Sequence, residues 1–353
     1  MRAIVVSEPD RFATIELPKP PVGAFDALVK SDVAFICNAT DRKLVQGTFP
    51  GISLDAYPLL LGHENVGTVV EVGEHVTSFA IGDRVIGGLL LDPTVDTVHS
   101  GWGGFCEYVL IRDHKAMVDR GITSEAYGWS HDWQIMRKVP NDLALADAGM
   151  MCTWREVYAA MTADFSFRAE EDLVVFGCGP VGLSFVVFAR LLGMHKIVAF
   201  DYLESKRNRA LALGADVALI PNDEGYAHLR TIFPSGVDVL VDAVGENSII
   251  QEAVGLVKMG GSVCVYGVLA DSTITFNKER APYNFNLLIH QWPTRSAEAA
   301  AHEPLLQLID EGKLSSKDFV TGVYQIDSFE EGYAASQDKE SIKTLIEFTL
   351  WDD

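Results

Sequence analysis

The sequence has no C-x-x-C pair, and its five cysteines (Cys37, Cys106, Cys152, Cys178 and Cys264) are odd in number and widely spaced. That argues against a disulfide framework, rules out a compact four-cysteine zinc lobe, and fits a reducing compartment. Positive charge is scarce: 28 lysines and arginines stand against 49 acidic residues, for a formal net charge of −21. A chain this anionic repels phosphate, so no nucleic-acid partner is expected. No apolar run approaches the roughly 18 residues needed to cross a bilayer, so no membrane partner is expected either. The opening "MRAIVVSEP" alternates like a strand and lacks a basic stretch before an apolar one. No secretory signal is therefore expected, and the location should be cytoplasmic. Low-complexity linkers and fixed-period repeats are also missing.

The 353 residues are enough for two domains with separate cores, and a 48% hydrophobic content makes them globular. Residues 1 to about 140 read as short β-rich pieces ("RAIVV", "DALVKSDVAFI", "VGTVVEVG", "DRVIGG", "FCEYVLI") punctuated by Gly, Pro and Asp. From about 145 to 290, apolar runs such as "DLVVFGCG", "KIVAFD" and "VDVLVDAVG" alternate with helix-like segments. That texture predicts βαβ units around a parallel sheet buried on both faces, an α/β fold. Beyond about 291 the chain returns to mixed elements, with a helix in "AHEPLLQLIDEGKL" and strands in "FVTGVYQI" and "SIKTLIEFTL". The chain is expected to leave one domain, build another, and come back.

"LVVFGCGPVGLSFVVFARLLG" places Gly177, Gly179 and Gly182 in G-x-G-x-x-G spacing between an apolar strand and an apolar helix. The glycines permit a tight turn, close approach of backbone to a pyrophosphate, and helix–strand packing; the helix N-terminus then faces negative phosphate. Asp201 follows at the end of the next strand, about 20 residues on, where a carboxylate can bind an adenosine ribose. It would repel a 2′-phosphate and so points to NAD over NADP, although Lys206 and Arg207 nearby pull the other way.

Metal-ligating residue types occur in three separated segments. His63 and Glu64 lie in the glycine-flanked "GHENVG", Cys152 in "DAGMMCTWREVYAAM", and Cys37 in "FICNATDRKLVQG". Taken singly, each cysteine reads more simply as a buried packing residue and the histidine as part of a polar turn. Together, Cys37, His63 and Cys152 could give zinc three protein ligands and leave a fourth position open, which is how a catalytic site differs from a structural one.

With "GHENVGTVVEVGEHVTSFAIGDRVI", "VVFGCGPVGL", "KIVAFDYLESKRNRALALGAD" and "FEEGYAASQDKESIKTLIEF" in order along nearly the whole chain, the sequence resembles the medium-chain zinc-dependent alcohol and polyol dehydrogenases. The resemblance implies a GroES-like catalytic domain (1–150 with 291–353), a Rossmann coenzyme domain (151–290), and an active site in the cleft between them. It puts His63 and Cys152 on zinc ligands, Glu64 on a glutamate that can approach the metal, and Asp41 on the carboxylate that orients the zinc histidine. Thr40 matches the hydroxyl of the proton relay, and Lys43 stands where the relay often ends in histidine. Pro180, Val181, Val244, Gly267 and Val268 join the glycines and Asp201 on the coenzyme. One catalytic zinc and NAD are implied as cofactors, a small-molecule alcohol or polyol as substrate, and a homodimer or homotetramer as assembly. The segment 89–101 lacks the four-cysteine lobe of many members, so a structural zinc should be absent.

One stretch departs from the family. Its members typically carry Cys-x-Ser/Thr-Asp, whereas "FICNATD" has an extra residue between thiol and hydroxyl. Counting from upstream puts Cys37 on the ligand; counting back from Gly47 puts Asn38 there. Coordination chemistry favours the thiolate, with a bulge to restore the later side chains. Residues 112–139, with His114, Trp129, His131 and Trp133, are longer than is usual in the family, and Trp102 in "HSGWGGFCEY" is placed to line a cleft. A zinc-free NADPH-linked quinone or enoyl reductase and a non-catalytic nucleotide-binding protein are the competing readings.

Overall fold

The computed structural model describes residues 1–269 and 271–349. The chain divides into two compact units, Met1–Cys152 with the chain from His302 onward, and Thr153–Ala301. The return therefore falls at 302, where the sequence pattern put it at 291.

The first unit is built on the strand Asp26–Ile36, which pairs antiparallel with Glu64–Val72, Tyr108–Arg112 and Lys343–Glu347. Nine of its eleven residues are buried. The strand is enclosed on both faces because two apolar clusters meet on it: Val29 packs with Val69 and Val109, and Ile36 with Leu61, Phe105 and Ile346. A seven-stranded sheet results, with a four-stranded sheet (Arg2–Glu8, Arg11–Glu16, Leu59–Leu60, His99–Ser100) beside it.

The 112–139 excursion is tied down at its start by hydrogen bonds to Asp113, and Met136 and Trp133 pack into the core of the unit. Asp113 caps the helix His114–Asp119 by accepting from Ala116 N–H at 2.9 Å. The same carboxylate accepts from the N–H groups of Thr77 and Ser78, each at 2.7 Å, and from the Ser78 hydroxyl at 2.8 Å. Further along, Trp129 packs its ring between His131 and His114, with centroids 4.5 and 5.6 Å away.

In the second unit six parallel strands run in the order Val217–Leu219, Ile197–Phe200, Leu173–Phe176, Val237–Asp242, Val257–Val265 and Asn286–Ile289. This is the doubly wound order, reversing beside the strand Leu173–Phe176, and ligands bind at the carboxyl ends of strands at such a reversal. The near-continuous apolar character of "LVVF" and "IVAF" follows, since helices cover both faces and all eight of these residues are buried.

Asp113 yields a test of the fold. Burial pushes its carboxyl up, but the hydrogen bonds from Ala116, Thr77 and Ser78 outweigh it and hold it below the ordinary value. A depressed folded pKa stabilises above the unfolded value of about 3.9 and is lost as pH falls through the folded one. Asp113→Asn should lose about 1–3 kcal/mol at pH 7. In urea unfolding the gap to wild type should narrow below about pH 4; a constant gap would show that the charge contributes nothing.

Candidate active site

Strand register assembles the polar group of the first unit. Phe35 is paired with Glu64, and Ile36 with Thr344. Cys37, His63 and Lys343 are the next residues on these three segments, so all lie at the same end of the ladder. Gly62, at φ 92°, turns the chain between Leu59–Leu60 and Glu64–Val72, and a Cβ there would come within 2.6 Å of the Phe105 ring.

The Cys37 thiol, the His63 imidazole and the Glu64 carboxylate consequently have ligand atoms within 4.8 Å of one another. Thiolate, imidazole and carboxylate are the donors zinc prefers, so the group fits that metal. Asp41, fully buried in the short helix Thr40–Val45, accepts from Cys37 N–H through Oδ2 at 2.8 Å. Its other oxygen, Oδ1, lies 3.6 Å from His63 Nδ1, too long for a hydrogen bond, and both atoms are buried without a partner among the described residues. Nδ1 thus faces Asp41, while Nε2 lies on the Glu64 side, 4.0 Å from Oε1. Burial pushes the Asp41 carboxyl up to about 7, with His63 pulling the other way.

The extra residue of "FICNATD" is accommodated in a turn, not in a strand bulge. Asp26–Ile36 ends before Cys37, Asn38 and Ala39 form the turn, and Thr40 opens the helix. The strand needs no bulge there because it has already ended. Asn38 Oδ1 is buried with no hydrogen-bond partner among the described residues. Lys43 lies on the same short helix, where burial and then Arg42 pull its ammonium below the ordinary value. Cys152 is buried on the helix Leu145–Ala159 and lies outside the mutual 4.8 Å group.

Sequence reasoning missed Lys343. Its Nζ donates to Glu64 Oε1 at 2.6 Å, and the two side chains are only 3% and 6% exposed. Burial pulls the ammonium down, but Glu64 and then Cys37 more than offset it, so the amine is held above its ordinary value. The available signal was a lone cation in the apolar strand "KTLIE", five residues of which four are buried.

The coenzyme-type unit carries a candidate site of its own. Gly177, at φ 90°, ends the strand Leu173–Phe176, and Gly179 caps the helix Pro180–Leu192, which carries Pro180 and Val181 in its first turn. A Cβ on Gly182 would sit 1.7 Å from the Gly177 carbonyl oxygen, so only glycine allows this helix to approach its strand. Asp201 accepts from Cys178 N–H and Leu203 N–H, both at 2.9 Å, which ties it to the glycine turn. Arg207 donates to the carbonyls of Asp201 and Tyr202 at 2.9 and 2.8 Å. Val244 and Gly267 meet at neighbouring strand ends, where a Cβ on Gly267 would be 2.7 Å from Val244 N, and one on Gly245 would be 2.5 Å from the Val268 oxygen.

Two family models match these regions: an alcohol dehydrogenase GroES-like domain over residues 23–119 and a zinc-binding dehydrogenase domain over 180–291. The chain belongs to the zinc-dependent medium-chain alcohol and polyol dehydrogenase family. It is 27% identical to a sorbitol dehydrogenase of Halalkalibacterium halodurans, over 98% of this chain and 99% of that one. An acryloyl-coenzyme A reductase of Sulfurisphaera tokodaii is also 27% identical over the same shares. In fold, a 2R,3R-butanediol dehydrogenase structure from Bacillus subtilis matches 98% of this chain and 99% of its own at a TM-score of 0.80, with 21% identity. This medium-chain oxidoreductase thus combines a GroES-like unit with a Rossmann unit.

Lys343→Met would remove the ammonium that donates to the buried Glu64 carboxylate, a loss of about 3–5 kcal/mol in the metal-free protein. Lys343→Arg should recover most of it. Thermal unfolding of both variants checks this, and equal melting temperatures for Lys343→Met and wild type would contradict the pairing.

Proposed function

We propose that this oxidoreductase oxidises a secondary alcohol, polyol, sugar or cyclitol to its carbonyl compound, reversibly and with NAD. The observation that carries the reading is the convergence of Cys37, His63 and Glu64 within 4.8 Å, beside a buried Asp41. Cys37, His63 and Cys152 would hold one zinc, with Glu64 able to approach it. Bound there, zinc supplies Lewis acidity that makes a substrate hydroxyl easier to ionise. Asp41 faces His63 Nδ1 across 3.6 Å, which would leave Nε2 for the metal. The Thr40 hydroxyl takes the alcohol proton at Oγ1 and passes its own onward. Lys43, its amine pulled below the ordinary value, is one exit for that proton and solvent the other. Gly177, Gly179 and the helix N-terminus at Pro180 would hold the pyrophosphate, and Asp201 would accept from the ribose hydroxyls. Val181, Val244, Gly267 and Val268 would line the remaining coenzyme path, and bound NAD would supply the hydride acceptor.

The acryloyl-coenzyme A reductase among the relatives supports a second reading, reduction of an activated alkene. Elemental analysis of the purified protein, with an alcohol panel read by NADH formation with and without chelator, separates the two. Stoichiometric zinc and chelator-sensitive alcohol oxidation are expected. A metal-free preparation that reduces enoyl thioesters would overturn the reading. Cys152→Ala should remove zinc and turnover but keep NADH binding by fluorescence titration. Asp201→Gly should lower the NAD-to-NADP ratio of kcat/KM by about tenfold or more; an unchanged ratio would deny Asp201 its role.

A further inference from the structure

Trp102 has a backbone conformation that its residue type disfavours. It sits at φ 76°, followed by Gly103 at 73°. A bulky residue in the left-handed region persists only where the surroundings hold it, and such positions cluster at functional sites. Here the hold is explicit. Trp102 N–H donates to the Ser100 hydroxyl at 3.0 Å, its carbonyl accepts from Leu90 N–H at 2.8 Å, and the Ser100 hydroxyl donates to the Leu90 carbonyl at 2.7 Å. The next residues press backbone to backbone on the metal-site turn: Gly104 N–H donates to the Gly62 carbonyl at 2.6 Å, and a Cβ on Gly104 would lie 3.0 Å from His63 N.

These constraints carry the indole to His63. The two ring centroids are 5.6 Å apart at 59°, and Phe49 meets the indole edge-on from another direction at 5.5 Å. The hydrogen bonds Trp102 makes among the described residues are on its main chain, which leaves indole Nε1 as a donor. An aromatic face packs against C–H groups, and an indole N–H seeks an acceptor once water is displaced. A polyhydroxylated carbon chain offers both, whereas the single hydroxyl of a simple alkanol is the one that reacts.

We propose that Trp102 is a specificity-determining residue. Its indole is the wall beside His63 against which a polyol substrate packs, and Nε1 donates to a hydroxyl other than the one that reacts. The proposal rests on the dehydrogenase reading above and names the feature that would select polyols within it.

The test uses zinc-loaded wild type, Trp102→Phe, which keeps an aromatic face without the N–H, and Trp102→Gly, which suits the left-handed backbone and removes the ring. Each is assayed on sorbitol and on 2-butanol. Zinc stoichiometry is measured in all three, together with the dissociation constant of sorbitol from the metal-free protein by calorimetry. Trp102→Phe should lower kcat/KM on sorbitol and weaken its binding by about tenfold, with 2-butanol within about twofold. Trp102→Gly should lose about a hundredfold on sorbitol with zinc content intact. Parallel losses on both alcohols, or loss of zinc with the ring, would overturn the proposal and make Trp102 a support for His63. A wild type that oxidises neither alcohol while holding zinc would overturn the dehydrogenase reading itself, and the specificity role with it. Oxidation of both alcohols without any response to Trp102 substitution would sink the specificity role alone.

Discussion

The pairing register of Asp26–Ile36 is the constraint on which the catalytic-type unit depends. Two neighbours, Glu64–Val72 and Lys343–Glu347, are locked to it by the Phe35–Glu64 and Ile36–Thr344 pairs. A slip of one residue would turn every side chain to the opposite face. Cys37, His63, Glu64 and Lys343 would then no longer converge. The register is held because the strand is buried on both faces, with Ala27, Val29, Ala34 and Ile36 inaccessible to solvent. Core packing and site assembly are therefore one requirement here.

Several charges are collected at that end of the sheet, away from water. Glu64 and Lys343 form a buried pair at 2.6 Å, and Asp41 lies near His63 with an unpartnered oxygen. Burying a carboxylate is costly unless a cation or donors meet it. Lys343 neutralises Glu64 in the absence of metal, whereas Asp41 relies on one backbone N–H and the nearby imidazole. A divalent cation among Cys37, His63 and Glu64 would supply the missing positive charge. The polar cluster thus makes physical sense as a metal centre and poor sense as core.

The coenzyme-type unit follows the opposite logic, since its geometry comes from side chains that are missing. Gly182 lets the helix lie against the Gly177 carbonyl, and Gly245 and Gly267 let two loops touch at the strand ends. Asp242, fully buried below them, accepts from Val244, Gly245 and Glu246 N–H groups and so fixes one of those loops. Its carboxyl is pushed up by burial against the pull of those three donors.

Local pattern was enough to read the Rossmann unit, because its strands are continuous apolar runs and its glycines recur at fixed spacing. The β-rich unit was legible as strands but not as pairings, since which strand lies beside which depends on contacts between residues far apart in the chain. The clearest example is Lys343, 279 positions from Glu64, whose partner no local window could reveal. "FICNATD" shows the same limit at short range: the surplus residue was visible, yet whether it bulged a strand or lengthened a turn depended on where the ladder to Glu64 ended. Trp102 could be noticed from its neighbours, but its left-handed backbone and its place against His63 arise from Leu90, Ser100 and Gly62 converging on it. The sequence by itself determined the two-unit α/β plan, the dinucleotide turn and the types of donor available. Only the tertiary structure decided which donors meet and which charge balances them, because burial and distance are properties of the packed chain.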